Sequence, residues 1–254
     1  MASVTASKRS VSNPATSLRS LSTHSLGLVL WALGDLKGAR VQYERALEIG
    51  EAALRPDHPD VATYHNNLGL MLKDFGDQEG ARVEYERALE ISEAALGPDH
   101  PDVATWRNNL GIVLQDLGDL AGARAQLERA LEIGEAALGP DHPSVASYRS
   151  NLGRVLQDLG DLAGARAQLE RALEIGEAAL GPDHPSVASY RSNLGRVLQD
   201  LGDLAGARAQ YERAVAIGEA ALGPDHPNMA IYRRGLAAVA AELGESAEGP
   251  ASAV

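Results

Sequence analysis

The sequence predicts an all-α protein, a solenoid of five antiparallel helix hairpins and one closing helix. Three observations predict it. Slid by 42 residues the sequence falls on itself, with His-Pro pairs beginning at His58, His100, His142, His184 and His226. A fixed period of this length is the signature of stacked supersecondary units. Within each period the apolar residues recur at helical spacing, and runs of strand type are missing. Hydrophobic content is 44%, mostly Ala and Leu, and aromatics are only 4%, so the apolar mass is of the kind that enters helices at little cost.

The chain opens on a Ser-rich stretch of about twenty residues with Lys8, Arg9 and Arg19 and no acid before Asp35. A transit peptide shares that composition. A disordered tail is the expectation over 1–17. Leu26–Leu33 resembles a signal core when read alone. However, Leu26, Gly27, Gly34, Asp35, Gly38 and Ala39 align with Leu68, Gly69, Gly76, Asp77, Gly80 and Ala81, so this stretch reads as the first helix of a degenerate unit over about 18–57. Units over 58–99, 100–141, 142–183 and 184–225 follow. Residues 142–183 and 184–225 differ only at Leu169/Tyr211, Leu173/Val215 and Glu174/Ala216.

In the unit from His100, Asp102 follows Pro101 and has the residue type of an N-cap, as do Asp60, Ser144, Ser186 and Asn228 in the other units. Val103, Trp106, Leu110, Val113, Leu114 and Leu117 then mark one face of a helix. Gly118 is placed to end it in a left-handed conformation, and Asp119 to cap the next. Leu120, Ala123, Leu127, Ala130, Leu131, Ile133 and Leu138 give the second helix its buried face. Gly139-Pro140-Asp141 ends it. A connection as short as Gly-Asp folds the two helices back antiparallel. Glycines recur inside first helices (Gly69, Gly111, Gly153, Gly195) and near the start of second helices (Gly80, Gly122, Gly164, Gly206). Each costs about 0.5–1 kcal/mol against Ala, and close approach of paired helices is the expected compensation. Residues 228–243 form a lone closing helix, and 244–254 a second disordered tail.

Leu68, Gly69, Leu72, Ala81, Tyr85 and Ala88, and again Leu110, Gly111, Leu114, Ala123, Leu127 and Ala130, resemble the consensus of the tetratricopeptide repeat (TPR). The 42-residue spacing, the Arg-Ala-Leu-Glu-Ile run and the Leu-Gly-Pro-Asp-His-Pro linker are similar to the kinesin light chain type. The resemblance spans about 18–243 and implies a right-handed α-solenoid that binds proteins. The chain departs from the pattern in its bulky first-helix residue, displaced by one place to Tyr64, Trp106, Tyr148, Tyr190 and Tyr232. The heptad-bearing region of kinesin light chains is missing. So is the Walker motif of the nucleotide-switch domains to which bacterial relatives join such repeats.

A net charge of −12 and a pI near 5.0 argue against nucleic acid or an anionic membrane as partner. No run of about 18 apolar residues exists to span a bilayer. Cysteine is absent, which excludes disulfides and thiolate chemistry, and a cytoplasmic location is expected. The five linker histidines lie one helix layer apart, roughly 10 Å, so they cannot share one metal and read as turn residues. Asp158 and Asp161 read as caps rather than an acid/base pair. Neither a catalytic constellation nor a cofactor motif is visible, and no enzyme is expected. The resemblance implies that first helices line the concave groove. One face of them carries Asn67, Asn109, Asn151 and Asn193, whose amides can donate and accept for an extended peptide backbone. Arg154 and Arg196, with Arg149 and Arg191 nearby, favour an acidic side chain or terminus. The expectation is therefore a non-catalytic scaffold for a peptide or protein segment, with a regulatory module acting in trans on a separate effector as the alternative. The chain is expected to be a monomer with weak self-association through its Ala-rich last helix.

Overall fold

The structure, a computed structural model, describes residues 23, 25–27, 29–31, 33–54 and 57–244. The expected tail over 1–17 lies outside them, as does the expected tail over 244–254 apart from Gly244. The chain divides into two compact units, Met1–Leu117 and Gly118–Val254. In the first unit, helical residues between 23 and 31 precede α1 (Leu36–Ala53), α2 (Pro59–Asp74), α3 (Gln78–Leu96) and α4 (Pro101–Asp116). In the second lie α5 (Leu120–Leu138), α6 (Pro143–Asp158), α7 (Leu162–Leu180), α8 (Pro185–Asp200), α9 (Leu204–Ala221) and α10 (Pro227–Glu242). No strand occurs among the described residues. The hairpins α2/α3, α6/α7 and α8/α9 are the most extensively packed helix pairs, and each also packs against the helix that follows or precedes it.

One correction concerns where first helices begin. The N-cap is the linker histidine, two residues earlier than the expected Asp, Ser or Asn. His142 has extended backbone (φ −73°, ψ 141°), and its Nδ1 accepts from the Ser144 N–H at 3.1 Å. His58, His100, His184 and His226 cap their helices in the same way. The following proline occupies the first helical position, where its fixed φ suits the helix and no N–H is needed. The histidines are therefore helix caps and not merely turn residues.

The hairpin turns follow expectation. Gly160 has φ +84° and follows the C-cap Leu159, a left-handed conformation that glycine adopts without strain. Asp161 then caps α7 by accepting from the Gly164 N–H at 2.9 Å. The second-helix glycines serve this cap rather than helix–helix approach, since a Cβ on Gly164 would lie 2.4 Å from Asp161 Oδ2. The first-helix glycines do accommodate a close neighbour: a Cβ on Gly153 would meet Leu169 Cγ at 2.7 Å and the Ala165 carbonyl oxygen at 3.2 Å. Three of the displaced aromatics, Tyr148, Tyr190 and Tyr232, lie over a third set of glycines, Gly134, Gly176 and Gly218, each on the preceding second helix. The core between repeats is built on these residues; Val145, Ala146, Ala172, Ile175 and Tyr190 form one buried cluster, with Leu131 and Leu173 packed against it.

Candidate functional site

First helices carry polar residues where they face one another, and these residues pair across repeats. In the first unit Asn109 Nδ2 donates to Asn66 Oδ1 at 2.9 Å, and Asn66 Nδ2 to Asn67 Oδ1 at 3.3 Å. Asn108, buried, donates to Asn109 Oδ1 at 3.4 Å. In the second unit Asn193 Nδ2 donates to the buried Ser150 Oγ at 3.1 Å. The asparagines expected in the groove thus also serve as rungs between successive first helices. Their partners, Asn66 and Ser150, sit 43 residues earlier and went unnoticed in the sequence, because a contact at one repeat plus one residue leaves no mark on the period.

The second unit holds a groove of about 500 Å³ lined from α6, α8 and α10, within the size range of ligand sites. Helix α6 contributes Ser147, Ser150, Asn151 and Arg154, one helical face at i, i+3, i+4 and i+7. The matching face of α8 contributes Ser189, Ser192, Asn193 and Arg196, with Ser186 and Tyr190 beside it, and α10 contributes Asn228, Ile231 and Tyr232. The hydroxyls are ordered across repeats: Ser147 Oγ lies 3.0 Å from Tyr190 Oη, and Ser189 Oγ 2.9 Å from Tyr232 Oη. Burial pushes the Tyr190 phenol up from its ordinary titration range, opposed by the bond to Ser147. At the other end Arg196 Nε donates to Gln157 Oε1 at 2.7 Å, and Gln157 Nε2 donates to Asp200. Arg196 is exposed, and its two terminal nitrogens make no hydrogen bond with the described residues.

Of the expected site residues, Asn151, Asn193, Arg154 and Arg196 are brought together here. Asn67 and Asn109 belong to the first unit. Arg149 and Arg191 are not among the residues that line the groove. Each is a strut: Arg149 pairs with Glu135 on α5 and donates to Gln168 Oε1 on α7 at 2.6 Å. Arg191 repeats this with Glu177 and with Gln210 at 2.8 Å. Their side chains are 17% exposed, and the charge is spent on an acid 14 residues back across the linker. In the first unit this position is held by His65, with Glu84 at 2.7 Å and Glu51 at 3.7 Å, and by Arg107, paired with Glu93.

The family profile of the tetratricopeptide repeat matches residues 18–94, 79–136, 102–178, 145–220 and 192–248. The chain belongs to the tetratricopeptide repeat family. TPR arrays are generally protein–protein interaction modules, and the fold is the TPR α-solenoid. Solved relatives are of the kinesin light chain type. BtubC (BKLC) of P. vanneervenii is similar at 26% identity with a TM-score of 0.67, over 84% of this chain and 92% of that one. A Podosopora anserina kinesin light chain protein with nearly identical TPR-like repeats is similar at 25% identity with a TM-score of 0.66, over 80% and 96%. No curated protein sequence matches the chain. No helix among the described residues is long and apolar enough to cross a membrane.

Proposed function

We propose that this TPR protein is a non-catalytic adaptor whose second unit binds an extended, acidic segment of a partner protein. The observation that carries the reading is the composition of the groove. Three first helices present hydroxyls, amides and guanidinium groups on one face, inside a chain of net charge −12. A local cationic wall in an acidic protein selects by charge, while amides and hydroxyls accept backbone groups whatever the sequence. Arg196 supports it further, because its Nε is tethered to Gln157 while its terminal nitrogens remain for a carboxylate.

The test uses fluorescent peptides of equal length, acidic, neutral and basic, titrated against the full chain by anisotropy. The acidic peptide is expected to bind best. Arg154→Glu with Arg196→Glu is expected to weaken it by about tenfold or more, the loss of one or two charge-assisted contacts. Asn151→Ala is expected to weaken all three peptides alike. Equal affinity for the three peptides, or an unchanged affinity in the folded double-arginine variant, would rule the reading out.

A further inference from the structure

The repeat supplies its own control for the end of the second unit. Helix α10 matches α8 at an offset of 42 residues, but no described helix follows it. On α8, Ala188 is 0% exposed, Ser192 6%, and Gly195 is buried. Their counterparts Ala230, Arg234 and Ala237 on α10 are all exposed. Ile231 is 50% exposed, and Ala238, Ala241 and Glu242 are exposed as well. These positions recur at three and four residues, so they form one continuous stripe along the helix. Ala230, Arg234 and Ala237 occupy the positions that α8 covers with the next repeat, and Ala238 and Glu242 extend the stripe along positions that stay exposed on α8, Arg196 and Asp200.

The charges on this stripe are arranged for one particular occupant. Arg234 has no ion pair or hydrogen bond with the described residues. Glu242 is held in place by Gln199, whose Nε2 donates to its Oε1. Arg234 stands one turn before Ala238 and Glu242 one turn after it. We propose that this face seats the same face of a second copy of the chain, α10 against α10, antiparallel about a two-fold axis at Ala238. In an antiparallel pair each position meets the one equally far on the other side of the axis. Arg234 therefore meets Glu242 of the partner subunit, and the pair forms twice. A parallel arrangement sets like against like. The alanines at the crossing let the helix axes approach to about 8 Å. The stripe is short, so the dimer is a weak one, at or below the small end of specific interfaces. The groove reading does not depend on it.

Sedimentation of the full chain from about 10 μM to 1 mM, the range expected of an interface this small, tests the proposal. The mass is expected to climb from 26.7 kDa toward twice that value. Arg234→Glu alone and Glu242→Arg alone should each weaken association by about tenfold, since each turns two attractions into repulsions. The double variant should return most of the loss. Because the chain has no cysteine, Ala238→Cys can form a disulfide only with a second copy, and it should do so far faster than Ala163→Cys, at an exposed position of α7. A monomer at every concentration overturns the proposal. So do a double variant no better than the singles, and cross-linking at 238 no faster than at 163. A dimer that appears only after removal of residues 245–254 assigns the face to that segment instead, and overturns it too.

Discussion

An imidazole at the N-cap does for each first helix what Asp does for each second one. His142 Nδ1 accepts from the N–H two residues on, so one of the orphan donors of the first turn is satisfied by a neutral acceptor. Pro143 then fixes the first helical φ. The histidine also has to hold an extended backbone at the exit of the Gly-Pro-Asp linker, which links the start of the helix to the direction of the chain. His142→Ala should cost about 1 kcal/mol, the usual loss of a cap. His142→Asp should return most of it, because a carboxylate oxygen accepts the same N–H and favours the positive end of the helix. Urea unfolding at neutral pH with an unchanged slope checks both. An Ala variant as stable as the parent would mean that water replaces the ring without cost.

At the scale of the helix, the tyrosines link packing to pH. Tyr85 lies against Gly69, where a Cβ would come within 2.9 Å of its ring. Burial, with a smaller contribution from Asp74, pushes its phenol well above the ordinary range. Burial also raises Tyr43 and Tyr211, the latter opposed by Arg196. An unfolded tyrosine releases its proton near pH 10, while in the fold these phenols keep theirs. Above that pH the unfolded chain binds fewer protons than the folded one, so stability falls as pH rises. Melting temperatures should drop steadily from pH 10 upward, and Tyr85→Phe should flatten the slope. An identical slope in both chains would remove Tyr85 as its source. The helices themselves were legible in the sequence because their signals are local: Gly160-Asp161 encodes a turn and a cap within two residues. The start of first helices was read two residues late, because histidine is an unusual capping residue. The strut role of Arg149 was hidden for a different reason. Its acid, Glu135, lies on the preceding second helix across the linker, and the periodic pattern places both residues without saying that they meet. The asparagines were legible as a face, but their rung partner Ser150 was not.

At the scale of the molecule, stacked repeats contact their neighbours, so stability is close to a sum of repeat and interface terms. The near-identity of 142–183 and 184–225 makes this testable with no change to any junction. Excising residues 142–183 joins Asp141 to His184, the same Asp-His step that Asp183 makes with His184 in the parent. Glu135 then faces Arg191 in place of Arg149, and Gly134 faces Tyr190 in place of Tyr148, residues of the same type at the same offset. The shortened chain should therefore fold. Its denaturant slope should fall by roughly one sixth, the share of the chain removed, since that slope follows the surface exposed on unfolding. Its midpoint should also fall, because one repeat and one interface are lost together. Affinity for an acidic peptide should fall as well, because α6 leaves the groove and takes with it Arg154, one of its two arginines. A chain that keeps its helical signal and its cooperative transition but binds the acidic peptide as tightly as the parent would separate the two levels. The repeat would then be a modular building block, and the basic groove would not be where the partner sits.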